Sequence, residues 1–371
     1  MTPDRREAID TFLRSSGWGG ADVSPLGGDA STRRYARLSL NDRCAMLMDQ
    51  PQNAEAPQCP AGATPEERRA LGYNAIARLA GGNCGRFIAA AEFLRSKGLS
   101  APEIYAADVA QGFVLIEDLG DDLYASVLAD ETDEYGLYAA AVDALAKLHM
   151  QGAPQILDYG IPLYAYDETA LLAEVELITE WFIPVALERV PSENECTEHR
   201  SLWQEILRPL MATPAVFVHR DYHAQNLFWL PRRADVARVG MIDFQDAVAG
   251  TKSYDLVSLL EDARRDVAPE LAEAMTERYL DTMQRAGVAL DEEQHRAEAA
   301  IMAAQRNAKI VGIFARLYKR DGKPRYLSYL PRVWRYLNRD LDHPALLPLK
   351  RWYDRRIPAE ARGEPRTVEL V

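Results

Sequence analysis

The sequence predicts an α+β fold, with a small antiparallel sheet in the first third of the chain and a larger, mainly helical remainder. Strand-like runs separated by Gly, Asn and Asp turns are concentrated before residue 117. From residue 118 onward, apolar side chains recur at helical spacing over long stretches. The 371 residues are 48% hydrophobic and 27% charged, which provides enough apolar surface for one large core or two smaller ones.

The first third begins with a short amphipathic helix at residues 2–14, because Pro3 suits a first helical turn and Gly17 ends the helix. A second helix is expected at residues 87–97, and Gly98 ends it. The alternation of apolar and polar residues between turns predicts the strands of one small sheet. These predicted strands cover residues 23–26, 35–40, 44–48, 103–108 and 112–117.

An insertion is predicted at residues 51–83, between the third strand and the next helix. Its first part is rich in Pro, Ala and Gln and is expected to form a loop. Thr64 followed by Glu67 is the pattern of a capping box, which predicts a helix that continues to Leu79. The insertion could cover the site as a flap or be a surface elaboration.

The remainder is predicted to contain a helix at residues 136–149 and a long helix at residues 291–321, which ends at Gly322. One strand pair interrupts the helices. A short strand at residues 216–218 leads into a hairpin whose arms are residues 226–230 and 239–242.

Charge and cysteine spacing narrow the possible functions. The net charge of −13 repels a polyphosphate backbone, which argues against nucleic-acid binding. The four cysteines lack the CxxC spacing of zinc sites, and they are expected to be reduced thiols. The chain has neither a run of about 18 apolar residues nor a signal-like start, so no membrane partner is expected and the predicted location is cytoplasmic.

The stretch from His219 to Asn226, HRDYHAQN, carries the most informative polar pattern, and Asp243 follows within IDF. Phosphoryl transfer requires a carboxylate that orients the attacking hydroxyl and accepts its proton, and oxygen ligands that hold Mg²⁺ against the phosphates. Asp221 suits the first task, and Asn226 with Asp243 the second. The alternative for any one of them is a turn cap. His219 and Arg220 are expected to support the loop by hydrogen bonding.

The two predicted metal ligands are expected to meet at the open end of the hairpin. Asn226 and Asp243 are equidistant from the centre of the turn at Ala234 and Asp235. In a regular hairpin, residues at such positions lie about 5 Å apart in the backbone.

The motifs HRDYHAQN and IDF together resemble the catalytic and metal loops of the aminoglycoside phosphotransferase and choline kinase group, which has the bilobal protein-kinase-like fold. GDAS at 28–31, QDAVAG at 245–250 and GIFARLYKRDGKPRYL at 312–327 are similar, more narrowly, to the amino-sugar kinases of peptidoglycan recycling. Those kinases phosphorylate the anomeric hydroxyl of N-acetylmuramate and N-acetylglucosamine. The resemblance therefore implies an enzyme that uses ATP and Mg²⁺ and takes a small sugar as its partner.

The same resemblance implies an N-lobe of residues 1–117 and a C-lobe of residues 118–371. Backbone groups of Glu117 and Leu119 would bind adenine at the hinge between them, and Asp255 would brace the catalytic loop. The loop over the nucleotide phosphates would consist of Gly27, Gly28, Asp29, Ala30 and Ser31.

The third strand departs from the protein-kinase pattern, because residues 44–48 contain no lysine to hold the α- and β-phosphates. Arg34 on the neighbouring strand is the candidate replacement, and a solvated surface arginine is the alternative. The missing lysine also leaves open a pseudokinase that binds nucleotide without catalysis.

A basic stripe is predicted on the long helix, where Arg306, Lys309, Ile313, Arg316 and Arg320 share one face. The stripe could be a solvated face paired with carboxylates. Alternatively, Arg306, Lys309 or Arg316 could hold the lactyl carboxylate of N-acetylmuramate. The other enzymes considered act on an aminoglycoside, choline or homoserine, and a polycationic aminoglycoside would favour an acidic pocket instead.

Overall fold

The computed structural model describes residues 3–27, 33–51, 60, 63–77, 79, 83–129 and 133–363. Five strands form one antiparallel sheet, and all five predicted strands are confirmed. They are Asp22–Pro25 (β1), Arg34–Leu40 (β2), Arg43–Asp49 (β3), Ile104–Asp108 (β4) and Phe113–Ile116 (β5). Their order across the sheet is β1-β2-β3-β5-β4.

Helices dominate the chain after the sheet, which confirms the predicted α+β class. The helices before residue 150 are Pro3–Ser15 (α1), Pro65–Ala70 (α2), Tyr73–Ala77 (α3), Gly85–Ser96 (α4), Tyr124–Val127 (α5) and Glu134–His149 (α6). The later ones are Glu168–Val175 (α7), Ile183–Leu187 (α8), Glu193–Leu207 (α9), Ser253–Leu260 (α10), Pro269–Arg285 (α11), Glu292–Asp321 (α12), Leu330–Asp340 (α13) and Leu347–Arg356 (α14).

The two faces of the sheet are covered by different helices. Side chains alternate between the faces along a strand. Leu47 therefore packs in one apolar cluster with Phe12 of α1. Its neighbour Met48 packs in the other cluster, with Phe87 of α4. The sheet is thus enclosed between the N-terminal helix and α4.

The insertion differs from the prediction in one respect. Thr64 and Glu67 form the expected capping box, in which the Glu67 N–H donates to Thr64 Oγ1 at 3.2 Å and the Thr64 N–H donates to Glu67 Oε2 at 2.8 Å. The predicted single helix to Leu79 is wrong, because the chain turns between α2 and α3. Gly72 there has φ of +83°, a left-handed conformation that ends a helix. Most of residues 51–63 lies outside the described residues.

Four short strands in the helical part form two pairs. Val216–Val218 (β6) pairs with Val248–Gly250 (β9), and Leu227–Trp229 (β7) pairs with Val239–Met241 (β8). The hairpin of β7 and β8 was predicted, whereas β9 was not. Three residues are too few to show a strand pattern, and the partner of β9 lies about 30 residues earlier in the chain.

The long helix α12 begins and ends within one residue of its predicted limits. Asp291 Oδ1 accepts the N–H of Gln294 at 2.7 Å, and Gly322 has φ of +63°. Gly312, in the middle of this helix, packs directly against Leu177. A Cβ atom at Gly312 would lie 2.8 Å from the carbonyl oxygen of Leu177, so only glycine fits there.

Within the described residues, no helix is both long and apolar enough to span a membrane. Cys44, Cys84 and Cys196 are free thiols, as expected, and Cys59 lies outside the described residues.

Candidate active site

The loop of residues 219–226, which carries the predicted catalytic residue, starts where β6 ends. Asp255 on α10 is fully buried and accepts two backbone N–H groups of this loop, from His219 at 2.6 Å and from Arg220 at 2.9 Å. Arg220 has φ of +75°, which is unusual for a residue with a side chain. The carboxylate of Asp255 therefore lies where it can hold a strained turn in place.

The side chain of His219 also stabilises this loop. Its Nδ1 accepts the N–H of Asp221 at 3.3 Å, and the ring is completely buried. Burial lowers the pKa of His219 to about 4, so the ring is neutral at neutral pH. A neutral ring is required, because a protonated Nδ1 could not accept this hydrogen bond.

A buried charge cluster lies beneath the loop and consists of Glu174, Arg220 and Lys309. Glu174 Oε1 accepts from Arg220 Nη2 at 2.7 Å and lies 2.9 Å from Lys309 Nζ. Arg220 also donates to the carbonyl oxygen of Ala77 at 2.7 Å, and Lys309 donates to the hydroxyl of Tyr254 at 3.1 Å. Both cations are thus bonded to protein groups.

Asp221 lies next to this cluster. Burial alone would raise the pKa of its carboxyl group, but the charge of Lys309, helped by Arg220, lowers the pKa below its ordinary value. Asp221 is therefore ionised at neutral pH and can accept a hydrogen bond from a hydroxyl group.

The hairpin brings Asn226 and Asp243 to one cavity, but not as a directly opposed pair. The register pairs Leu227 with Met241, and the Ile242 N–H donates to the Asn226 carbonyl at 3.0 Å. Ile242, not Asp243, thus lies opposite Asn226, and the predicted pairing is wrong by one residue. Asp243 follows with φ of +65°, a left-handed turn that redirects the chain at the end of β8.

The oxygen atoms of these two residues fit a magnesium site. Asn226 Nδ2 donates to the Asp221 carbonyl at 3.0 Å, which leaves its Oδ1 as a ligand atom. Asp243 Oδ1 accepts from Arg33 at 3.2 Å and from Gln245 at 2.9 Å, which leaves Oδ2. The Asp243 side chain is 41% exposed. Among the described residues, no group of three His, Cys, Asp or Glu side chains could hold a metal alone, so any ion here needs amide, water or substrate oxygens.

A cavity of about 430 Å³ contains Asp221, Asn226 and Asp243 in its walls. The basic stripe of α12 forms another wall, and Arg306, Lys309, Ile313, Arg316 and Arg320 all line the cavity. Arg306 and Lys309 of the stripe are buried, whereas Arg320 at its end is exposed and pairs with Asp321. Arg306 is 4% exposed and donates to the carbonyl of Glu261 at 3.2 Å. Arg316 donates to Asn74 Oδ1 at 2.7 Å and lies over the ring of Tyr73.

The predicted nucleotide-binding residues are only partly described. Gly27 is exposed, and Gly28, Asp29, Ala30 and Ser31 lie outside the described residues. Arg34 is exposed on β2 and does not line the cavity.

The predicted hinge follows β5. The backbone N–H of Glu117 donates to the carbonyl of Glu103 at 2.8 Å, so this N–H is already engaged within the protein. Leu119 packs near Gly240 of β8, where a Cβ atom would lie 3.1 Å from Leu119 Cδ1.

The profile of the phosphotransferase enzyme family matches residues 22–290. The chain belongs to this family. A protein of Caulobacter vibrioides named N-acetylmuramate/N-acetylglucosamine kinase is 44% identical over 98% of this chain and 99% of that protein. A protein of Pseudomonas putida with the same name is 33% identical over 90% of this chain and 88% of its own length. The resemblance predicted from HRDYHAQN and IDF is confirmed.

The fold of this phosphotransferase matches that of distant solved structures. The crystal structure of aminoglycoside phosphotransferase APH(2'')-Ib with ADP bound has a TM-score of 0.52 and covers 91% of this chain and 97% of that chain. Its sequence identity is 15%, so the likeness is one of fold.

Several residues at this phosphotransferase site were not predicted to contribute to it, and Arg33, His223 and Arg86 are three of them. Arg33 contacts Asp243, and His223 lines the cavity two residues after Asp221. Arg86 of α4 is buried and donates to the carbonyls of Gln245 at 3.3 Å and Ala247 at 3.4 Å, which joins α4 to the loop after Asp243. Arg86 carried a usable signal, since a cation in the first turn of an apolar helix opposes the helix dipole.

Proposed function

We propose that this phosphotransferase is an ATP- and Mg²⁺-dependent kinase that phosphorylates the anomeric hydroxyl of N-acetylmuramate, N-acetylglucosamine or both, in the recycling of cell-wall sugars. One observation carries the proposal. Asp221, Asn226 and Asp243 share a cavity with the basic face of α12, the face that includes the motif GIFARL. The names of the two curated relatives support the same acceptors. The reaction would take place in the cytoplasm.

Asp221 is the proposed catalytic base. Its carboxylate would accept a hydrogen bond from the anomeric hydroxyl, orient the oxygen toward the γ-phosphorus and take the proton as the new O–P bond forms. The bond from the γ-phosphorus to the bridging oxygen breaks, which releases ADP and leaves a sugar 1-phosphate. Because Lys309 keeps the pKa of Asp221 low despite burial, the base is available at neutral pH.

Asn226 and Asp243 are the proposed magnesium ligands, through Asn226 Oδ1 and Asp243 Oδ2. When bound, Mg²⁺ would neutralise the charge on the nucleotide phosphates. His219, Arg220 and Asp255 would keep the loop that carries Asp221 in shape through the contacts described above.

In this proposal the nucleotide lies between an N-lobe of residues 1–117 and a C-lobe of residues 118–371. The carbonyl of Glu117 and the N–H of Leu119 would bind adenine. The loop that begins at Gly27 would cover the phosphates.

The charge of the cavity supports an anionic acceptor over a cationic one. Its described lining contains seven cationic side chains and three aspartates, and Glu174 beneath it pairs with two of the cations, so positive charge is in excess in a chain whose net charge is −13. These are Arg33, Arg220, Arg264, Arg306, Lys309, Arg316 and Arg320 against Asp221, Asp243 and Asp246. A polycationic aminoglycoside would meet repulsion here, whereas the lactyl carboxylate of N-acetylmuramate would be attracted. Arg306, Lys309 and Arg316 are the proposed contacts of the acceptor.

The test is a panel of acceptors incubated with the purified protein, ATP and Mg²⁺. The panel contains N-acetylmuramate, N-acetylglucosamine, an aminoglycoside, choline and homoserine. Mass spectrometry identifies the phosphorylated product, and ³¹P–¹H NMR couplings locate the phosphate. We expect a 1-phosphate of one or both amino sugars. Phosphorylation of another alcohol alone would replace the proposed acceptor, and nucleotide binding without any product would indicate a pseudokinase.

A further inference from the structure

The third strand supplies no cation to the cavity. β3 contains no lysine, and its last residue, Asp49, is 3% exposed. The carboxylate of Asp49 pairs instead with Arg5 of α1 at 2.5 Å. β3 therefore ends in a paired acid and offers no lysine for the nucleotide phosphates, so a cation for them has to come from another element.

Arg33 lies just before β2 and points into the cavity. Its Nη2 lies 3.2 Å from Asp243 Oδ1, its side chain is 9% exposed, and it lines the cavity together with Asp221 and Asn226. Arg34 is the next residue along the chain and is exposed outside the cavity. The two arginines are adjacent in sequence, but only Arg33 reaches the proposed magnesium ligand.

The contact between Arg33 and Asp243 uses one carboxylate oxygen and leaves the other to a metal ion. Arg33 and Gln245 bind the same oxygen of Asp243, Oδ1, so Oδ2 stays available to a cation. An arginine has five N–H donors in a planar fork and can bind a carboxylate with one edge and a phosphate with another. Since a metal at Asp243 would also touch the nucleotide phosphates, Arg33 lies within one side chain of them.

We infer that Arg33 replaces the third-strand lysine of protein kinases and binds the phosphate oxygens of the nucleotide. This inference rests on the proposed function, because it takes the ligand to be ATP. The phosphate contact that the sequence analysis predicted for Arg34 is thereby assigned to Arg33. A different role, in which Arg33 only holds Asp243 in place, makes a different prediction for nucleotide binding without metal.

The experiment measures binding of ATP, ADP and adenosine to the full chain by calorimetry, or by displacement of a fluorescent ADP where binding is weak. Wild type is compared with Arg33→Gln, Arg33→Lys and Arg34→Gln, each once with Mg²⁺ and once with EDTA. Circular dichroism checks that each variant is folded. The lysine variant keeps the charge but loses the fork, so it supplies the test if the glutamine variant does not fold.

We expect Arg33→Gln to weaken ATP binding by about 10-fold or more, since a charge-assisted hydrogen bond is lost, and to leave adenosine unchanged. The loss should be smaller for Arg33→Lys and should persist in EDTA. Three results would overturn the inference: equal losses for ATP and adenosine, a loss seen only with Mg²⁺, or a loss in Arg34→Gln but not in Arg33→Gln.

The failure of the inference can be separated from the failure of the proposed function. If wild type binds ATP and Arg33→Gln binds it equally well, only the assignment of Arg33 is wrong. If wild type does not bind ATP, both the proposed kinase activity and the inference are wrong.

Discussion

The two aspartates at the centre of the cavity are supported in opposite ways. Asp221 belongs to a loop that is bonded on its inner side to Asp255 and, through Arg220, to Glu174, both of which are at most 1% exposed. Asp243 is 41% exposed and is held by Arg33 and Gln245 at a single oxygen. The difference indicates that the protein alone orients the proposed base, whereas the geometry at Asp243 is completed by what binds there.

The largest effect is expected for Asp221→Asn, which tests the catalytic side of the comparison. Asparagine keeps the shape of the side chain but cannot take a proton. Turnover should fall by roughly 10²- to 10⁴-fold with nucleotide affinity largely kept, as steady-state kinetics and calorimetry would show. Near wild-type turnover would exclude Asp221 as the base.

Asp243→Ala tests the exposed aspartate of the comparison. It should also reduce turnover strongly, by about 100-fold at low Mg²⁺ if about 3 kcal/mol of metal stabilisation is lost. The loss should shrink as Mg²⁺ is raised, and the metal-nucleotide complex should bind more weakly. Asp281→Ala, which removes an exposed carboxylate on α11, is the control. An unchanged Mg²⁺ titration would show that Asp243 is not a ligand.

A third change extends the comparison to the acceptor. All three cations are bonded to protein groups, but Arg306 and Lys309 are buried, whereas Arg316 is half-buried over the cavity. Arg316→Gln should therefore raise the KM for N-acetylmuramate more than that for N-acetylglucosamine. The difference corresponds to about 1.5 to 3 kcal/mol of binding free energy. Arg285→Gln, at an exposed ion pair on α11, is the matched control. Equal effects on the two sugars would remove Arg316 from carboxylate recognition.

The smallest effect concerns the pH dependence of stability, through buried His219 in the loop of residues 219–226. Burial lowers the pKa of His219 from 6.5 to about 4. The folded state therefore resists protonation of this ring, and its stabilising contribution is complete above pH 6.5 and is lost as the pH falls from 6.5 to about 4. His219→Asn keeps an acceptor but does not titrate. Urea unfolding should show a pH slope in this range that is steeper in wild type by at most about 1.4 kcal/mol per pH unit. Identical slopes would contradict a neutral buried His219.

Helix ends were predicted correctly where a cap residue or a glycine in the sequence sets them. The limits of α12 followed from Asp291 and Gly322, because a cap residue and a left-handed glycine act on the adjacent turn alone. The capping box at Thr64 was predicted for the same reason. Gly72 was overlooked as a break, although a glycine within a helical pattern is an available signal.

The parts of the site that depend on three-dimensional placement could not be predicted. The one-residue shift between Asn226 and Asp243 goes with the positive φ at Asp243, and this backbone conformation could not be predicted from the sequence. The choice between Arg33 and Arg34 depends on where β2 begins. If the start of β2 moved by one residue, the side chain that faces the cavity would face solvent instead, because successive side chains point to opposite faces.

The glycine of α12 has a consequence for how this enzyme could acquire a new acceptor. Gly312 lies between Lys309 and Arg316, and its contact with Leu177 leaves no space for a methyl group. A side chain at residue 312 would therefore push α12, and with it the cationic wall, away from the backbone at residue 177. Laboratory evolution toward larger or uncharged acceptors should accumulate exchanges at individual side chains of this wall, and libraries that vary residue 312 should return glycine.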